Sequence, residues 1–278
     1  MTADSQQKVE IMRLSDIKKE IKKPKYVNST LDQVLLCDRI IEQMLKGEKF
    51  YIPVCSNYMQ RVQTDITAGM RKTVTDWMLE VCEDQNCASQ VFLLSVQYLD
   101  RVLSSLKIIR SELQLLAAAC LFISSKLCEI QPLSLEKLII YTDCSISSSQ
   151  LLSMEMRILD KLNWELCSLT SLDFLQIFIQ RYNCSEPVFS SAATFLSLAA
   201  TEYQFYSVKP SLMAGAAFLT ALQRADDNNT CGIENLHSSL SSLITTEKNG
   251  LLLLSSSLNS RVFSWLDQNQ NRNQQEIV

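Results

Sequence analysis

Apolar residues recur at every third or fourth position along most of the chain, which is the spacing of one buried face on an α-helix. Three Ser/Thr-x-x-Gln sequences, which begin at Thr30, Ser111 and Ser147, are typical of capping boxes at helix starts. Alternation with a period of two is scarce, so we expect an all-α fold. The combined signals predict helices at 31–46, 70–83, 89–103, 111–127, 134–142 and 148–162.

Two apolar segments rich in small residues lie 97 positions apart, LLAAACLFIS at 115–124 and LMAGAAFLTA at 212–221. A helix that is apolar nearly all round must be surrounded by other helices, and its repetition predicts two tandem helical bundles. The predicted organisation is a flexible tail at 1–29, a helix and connector at 30–64, bundles at 65–165 and 168–266, and a polar tail at 267–278.

The segment MRKTVTDWMLEVC, residues 70–82, carries more apolar side chains than one buried face requires. They cover about 200° of the helix circumference, whereas a surface helix needs a stripe of about 100° or somewhat more. We therefore expect a second apolar side on this helix that contacts something outside its own bundle.

Composition and charge narrow the classes of partner. The formal net charge of −4 disfavours a nucleic-acid-binding surface, and 47% hydrophobic residues are enough to fill real cores. The longest uninterrupted apolar run, Leu115 to Ile123, is too short to span a bilayer, so we expect no membrane contact.

Candidates for catalysis and metal binding are few. The chain has ten cysteines, which we expect to be reduced and mostly buried, and one histidine, His237, in no nucleophile motif. Cys82 and Cys87 could form half of a metal site, but the sequence has no second pair at such spacing. We therefore predict no catalytic residues, no metal and no cofactor.

Two charged residues interrupt apolar helix faces. Glu155 lies at the centre of an apolar stripe, where an unpaired carboxylate is costly to bury, and Lys126 ends the helix predicted at 111–127. Either Lys126 complements the helix dipole and Glu155 reaches water, or the two pair at a surface that another protein covers. For Arg71 and Asp100 an intramolecular salt bridge is the favoured hypothesis.

Four segments together resemble the cyclin box, and their residues are most similar to those of D-type cyclins. In chain order they are MRKTVTDWMLEVC at 70–82, YLDRVLS at 98–104, LQLLAAACLFISSKL at 113–127 and LLSMEMRILDKLNW at 151–164. The resemblance implies two tandem cyclin folds after an N-terminal helix. It also implies a regulatory subunit, not an enzyme, that activates a cyclin-dependent protein kinase for entry into DNA synthesis, and a location in nucleus and cytoplasm.

The resemblance assigns roles to particular residues. Lys126 and Glu155 match the pair that grips the kinase, with the aliphatic residues Ile123, Leu127 and Leu159 beside them. Arg71 and Asp100 match an internal salt bridge. A groove that docks Arg-x-Leu peptides of substrates and inhibitors is matched by Met70, Val74, Trp77, Glu80, Leu113 and Gln114.

The sequence departs from the D-type pattern at three points. Thr73 stands where the groove usually has an aliphatic residue, and LLCDR at 35–39 ends in Arg39 where Leu-x-Cys-x-Glu docks retinoblastoma-type proteins. No proline follows Ser or Thr, so the Thr-Pro degradation signal has no counterpart. A transcription-type cyclin and a kinase-independent scaffold with the same fold remain alternative hypotheses.

Overall fold

The computed structural model describes residues 38–53, 55, 57–225, 230–244 and 248–275. Helices account for its regular secondary structure, and the described residues include no strand, so the all-α prediction is confirmed. The predicted tail at 1–29 and the Thr30 capping box lie outside the described residues.

An N-terminal helix and connector precede two bundles of five helices each. The helices are α1 Asp38–Gly47, α2 Tyr58–Arg61, α3 Ala68–Asp84, α4 Ser89–Leu103, α5 Leu113–Cys128, α6 Leu135–Tyr141, α7 Ser148–Lys161, α8 Ser171–Arg181, α9 Glu186–Thr201, α10 Pro210–Ala225, α11 Thr230–Leu243 and α12 Lys248–Gln275. We call α3–α7 box one and α8–α12 box two.

The two boxes repeat one arrangement. Helices α4 and α9 begin 97 residues apart, at Ser89 and Glu186, and α5 and α10 begin 97 residues apart, at Leu113 and Pro210. Helix α5 packs on α4 and α7, and α10 packs on α8, α9 and α12. The tandem duplication predicted from the two small-residue segments is confirmed, because each segment forms the central helix of its box.

The central helix of box one shows why a buried helix is so apolar. By length and composition alone, Arg110–Cys128 could cross a membrane, yet 61% of the segment is buried inside the protein. Alanines at 117, 118 and 119 are fully buried and let the neighbouring helices approach closely. Core helices of globular proteins can have the same length and composition, and α5 is mostly buried, as such a helix is.

Helix caps agree with the sequence at one predicted site and differ at another. Ser147 and Gln150 form a complete capping box at the start of α7. Ser111 caps nothing, because a 3₁₀ turn over Arg110–Glu112 precedes α5 and Glu112 takes the cap position without a side-chain bond. The capping box predicted there is wrong because the chain tightens into that turn first.

The polar C-terminal segment is more ordered than its composition indicates. Residues 267–275, which the sequence assigns to a polar tail after the second bundle, continue helix α12 to Gln275. A helix already nucleated by buried residues such as Leu251 and Leu258 is cheap to extend, because each further residue adds a hydrogen bond without a new nucleus.

The segment before α3 is attached to box two. Asp38 on α1 pairs with Arg181 on α8 at 2.7 Å. The buried Glu48 accepts hydrogen bonds from the backbone and hydroxyl of Ser211, both at 2.9 Å, in the first turn of α10. A carboxylate at a helix N-terminus is stabilised by the unpaired amides there, so this contact fixes the connector on box two.

Candidate functional site

The two charged residues that interrupt apolar helix faces meet in the structure. Lys126 Nζ in the last turn of α5 lies 2.5 Å from Glu155 Oε1 in the middle of α7. The Lys126 side chain is 40% exposed and that of Glu155 is 12% exposed. Lys126 Nζ also lies 3.7 Å from the centre of the Phe122 ring, a favourable cation–π distance. The pair is therefore held in one geometry, with its lysine open to solvent.

Exposed aliphatic side chains surround this pair. Leu127 is 48% exposed, and on α7 Leu152 and Met156 are 43% and 49% exposed. Single exposed apolar residues are ordinary, but a cluster beside a half-buried ion pair is typical of a protein-binding surface. We call Lys126, Leu127, Leu152, Glu155 and Met156 the α5–α7 surface.

Two predicted contact residues lie beneath this surface and not on it. Ile123 on α5 is 2% exposed and Leu159 on α7 is 6% exposed, because both side chains pack into the core of box one. They support the surface from inside. Leu152 and Met156 were missed, although their positions one turn apart on either side of Glu155 are a visible signal.

The residues predicted to form a docking groove lie on α3 and in the first turn of α5, two helices that pack on each other. Val74 and Leu113 are buried, Met70, Trp77 and Gln114 are half-buried, and Glu80 is exposed. We call these six residues the α3–α5 face. Thr73 is exposed beside them, and its hydroxyl bonds the Gly69 carbonyl of its own helix.

Helix α6 contributes a contact to the α3–α5 face that sequence patterns do not reveal. The Trp77 indole N–H donates to the backbone carbonyl of Tyr141 at 3.3 Å. The Tyr141 hydroxyl in turn contacts Asp84 and Gln85 at the end of α3, and burial followed by the Asp84 bond raises its pKa to about 12. Trp77 is thus anchored at its polar edge while its rings remain partly accessible.

Arg71 and Asp100 form the predicted salt bridge at the centre of the molecule. Arg71 is fully buried and binds Asp100 through two parallel bonds, Nε to Oδ1 and Nη2 to Oδ2, both 2.7 Å long. The Tyr58 hydroxyl donates to Asp100 Oδ1 at 2.6 Å. Burial lowers the pKa of Arg71, but the Asp100 charge and hydrogen bonds raise it by more, so its pKa is raised overall.

The same arginine also joins the two boxes. Its Nη1 donates to the carbonyl of Thr201 at 3.0 Å and its Nη2 to that of Ala200 at 3.1 Å, both at the end of α9. The Thr75 hydroxyl, one turn later on α3, lies 3.3 Å from the Thr201 carbonyl. The extra buried side of α3 is therefore divided: Arg71 and Thr75 face box two, while Met70 and Trp77 lie on the α3–α5 face.

A second charged link lies beside the first. Lys72 on α3 and Arg261 on α12 both pair with Glu202, which follows α9; the Lys72 distance is 2.8 Å. Burial alone would raise the pKa of Glu202, but the two cations lower it by more, so its pKa is lowered. This carboxylate therefore bridges box one and box two.

Metal ligands do not cluster in the described part of the chain, where no group of three or more His, Cys, Asp or Glu side chains could hold an ion. Cys82 and Cys87 do lie together, but no third ligand joins them there.

Two family models cover most of the chain. The model for the cyclin N-terminal domain matches residues 39–167, and the model for the cyclin C-terminal domain matches residues 169–275. The chain belongs to the cyclin family. Its relatives include G1/S-specific cyclin-D1 of Danio rerio, 39% identical over 86% of this chain and 84% of that protein.

Other similar proteins agree with this membership. G1/S-specific cyclin-D1 of Xenopus laevis is 45% identical over 69% of this chain and 67% of that protein, and G1/S-specific cyclin-D2 of Mus musculus is 40% identical over 78% and 77%. The crystal structure of a viral cyclin from herpesvirus saimiri matches with a TM-score of 0.71 at 24% identity, and covers 81% of this chain and 96% of that one. That likeness concerns the cyclin fold.

Proposed function

We propose that this chain is a D-type-like cyclin, a regulatory subunit that binds and activates a cyclin-dependent protein kinase and promotes the G1/S transition. Membership of the family and the similarity to G1/S-specific D-type cyclins support this function. Catalysis is left to the kinase, since cyclins act as regulatory subunits.

The observation that carries the proposal is the α5–α7 surface. Its ion pair is already formed in the free chain, and Lys126 and Glu155 still have hydrogen-bonding capacity for a partner. Leu127, Leu152 and Met156 supply exposed apolar area next to it. An interface built this way gains affinity from the aliphatic contact and specificity from charge-assisted hydrogen bonds to the partner's backbone.

Activation follows from which kinase conformation this surface binds. A protein kinase is active when its regulatory helix is held inward, so that the helix glutamate pairs with the catalytic lysine. A cyclin that binds the inward conformation more tightly than the outward one shifts the population toward the active kinase. The α5–α7 surface, with its Lys126–Glu155 pair already formed, provides a fixed template for that helix.

The α3–α5 face is the proposed docking site for Arg-x-Leu peptides of substrates and inhibitors. Trp77 and Met70 would receive the apolar residue of the peptide, and the exposed Glu80 would attract its arginine. Retinoblastoma-type proteins are proposed substrates, and nucleus and cytoplasm the proposed locations. Residues 35–37 of the LLCDR segment lie outside the described residues, and Arg39 is exposed on α1.

The test is charge reversal at the pair, Lys126→Glu. Two carboxylates would then face each other at an interface that excludes water, which costs several kcal/mol and should abolish kinase binding. The matched control is Arg157→Glu, which reverses a charge on α7 and breaks the pair with Glu112 at 3.4 Å, outside the α5–α7 surface. Kinase binding and phosphorylation of a peptide substrate are measured for both variants.

We expect Arg157→Glu to bind and activate as the wild type does. A folded Lys126→Glu protein that activates the kinase normally would contradict the proposed role of the pair. The double reversal, Lys126→Glu with Glu155→Lys, should restore the internal ion pair but not full binding, because the kinase groups keep their positions.

A further inference from the structure

Four helices in the described part of the chain end in the same backbone motif. The second residue after the helix takes a left-handed conformation, and the amide that follows it donates to a carbonyl five residues earlier. This motif commonly brings the side chains of the two bonded residues together. The residues joined by this backbone bond are Cys82 and Cys87 after α3, Ile139 and Cys144 after α6, Leu159 and Trp164 after α7, and Ile179 and Cys184 after α8.

The end of α3 differs from the other three because both residues joined by the backbone bond are cysteines. Asn86 has a φ of 52°, and the amide of Cys87 donates to the carbonyl of Cys82 at 2.8 Å. The two thiols are near enough to influence each other's pKa, and both are free, not disulfide-bonded. Cys82 is 4% exposed, whereas Cys87 is half-buried and open to small solutes.

We propose that Cys82 and Cys87 form a reversible redox pair, in which peroxide oxidises Cys87 and Cys82 then closes a disulfide across the end of α3. In the first step the Cys87 thiolate attacks hydrogen peroxide, which gives a sulfenic acid and releases hydroxide. In the second step the Cys82 sulfur displaces the hydroxyl group, the disulfide forms and water leaves. Two thiols are oxidised and one peroxide is reduced to two waters.

The chemistry of the two thiols suits these roles. The Cys82 contact lowers the pKa of Cys87, and Lys137 lowers it further, although burial acts in the opposite direction. The interaction with Cys87 and burial raise the pKa of Cys82, so its thiol keeps the proton. Thiolate character and access make Cys87 the attacking residue, and the buried Cys82 is the resolving one.

The disulfide would protect Cys87. Without a neighbouring thiol, a sulfenic acid is oxidised further to a sulfinic acid, which ordinary thiol reductants do not reverse. Cys184 after α8 is the internal comparison, because the same motif bonds its backbone to Ile179, which has no thiol.

The experiment treats the purified full-length chain with hydrogen peroxide under native conditions and analyses tryptic peptides by mass spectrometry. No Lys or Arg lies between Lys72 and Arg101, so one peptide carries both Cys82 and Cys87 and no other cysteine. We expect this peptide to lose two hydrogens in the wild type and to regain them with dithiothreitol. In Cys82→Ile, which copies the α8 arrangement, and in Cys82→Ala, Cys87 should accumulate as sulfinic acid.

Circular dichroism before oxidation verifies that the variants are folded. The proposal is overturned if the wild-type peptide keeps both thiols, if the disulfides join separate chains, or if Cys87 reaches sulfinic acid equally fast in wild type and Cys82→Ala.

Discussion

Box one and box two share an arrangement of helices but differ in where they hold charge. At the 97-residue offset, Lys126 corresponds to Gln223 and Glu155 to Leu252, which is 48% exposed. Asp100 corresponds to Ser197, whose hydroxyl bonds the Ala193 carbonyl of its own helix. Box two therefore lacks the counterparts of the Lys126–Glu155 and Arg71–Asp100 pairs.

This difference indicates a division of labour between the duplicated units. A shared fold does not imply a shared function, because function depends on side chains placed on the fold. Box one carries the α5–α7 surface and the α3–α5 face. Box two supplies the carbonyls of Ala200 and Thr201 that complete the hydrogen bonding of Arg71, and so holds box one in place.

Arg71→Ala, which removes the link between the two boxes, should have the largest effect on stability. The change leaves Asp100 buried without its cation and two carbonyls of box two without donors, which costs about 3–5 kcal/mol of unfolding free energy. Urea denaturation measures the loss. Arg71→Lys, which keeps the charge but cannot form the two parallel bonds, should lose less.

Equal unfolding free energies for Arg71→Ala and wild type would show that the stability of the two boxes does not depend on the contacts of Arg71. Arg101→Ala serves as a second reference, since Arg101 lies beside Asp100 in sequence but donates one bond to the Glu165 carbonyl near the protein surface. We expect a loss of about 1 kcal/mol there.

The contacts of Arg71 also show which parts of the structure can be predicted from the sequence. The repeated small-residue segment predicted the duplicated bundles, and a charge on or beside an apolar face identified Lys126, Glu155 and Asp100 as residues in need of a partner. The contacts with Ala200 and Thr201 could not be predicted, because backbone carbonyls carry no sequence signal and lie about 130 residues away. Pairing over such separations depends on how whole helices pack.

The burial of particular aliphatic residues could not be predicted from the sequence either. Ile123 and Leu152 are both aliphatic and lie at helical spacing from charged residues, yet the first is buried and the second is exposed. Periodicity gives the direction of a side chain on its own helix, but α5 has neighbours on nearly every side and α7 does not. Which face stays open is therefore set by the neighbours of each helix.

A second prediction concerns the α3–α5 face, for which box two has no equivalent tryptophan. Trp77→Ala should weaken binding of an Arg-x-Leu peptide by about 2 kcal/mol or more, since a partly exposed indole is a typical hot-spot residue. Fluorescence polarisation of a labelled peptide measures the affinity. Trp164→Ala, at a 60% exposed tryptophan after α7, should leave the affinity unchanged.

Thr73→Ile sharpens the same test. It restores the aliphatic residue usual at this position of the docking groove, and the added apolar area should tighten peptide binding, by less than Trp77→Ala weakens it. If folded Trp77→Ala and Thr73→Ile proteins both bind the peptide as the wild type does, the α3–α5 face is not a docking site.

Glu202→Gln tests the charged bridge between the two boxes and should have the smallest effect on stability. Because the folded pKa of Glu202 is lowered, its ionised form stabilises the folded chain above its ordinary pKa, and this contribution disappears as the pH falls through the lowered value. At pH 7 the variant should lose about 1 kcal/mol of unfolding free energy, and at an acidic pH below the lowered pKa of Glu202 it should match the wild type. Glu112→Gln, at the more exposed pair with Arg157, should change stability by less than about 0.5 kcal/mol at either pH. A Glu202→Gln deficit that is the same at both pH values would assign the effect to side-chain packing, and the link between box one and box two would then rest on Arg71 and not on Glu202.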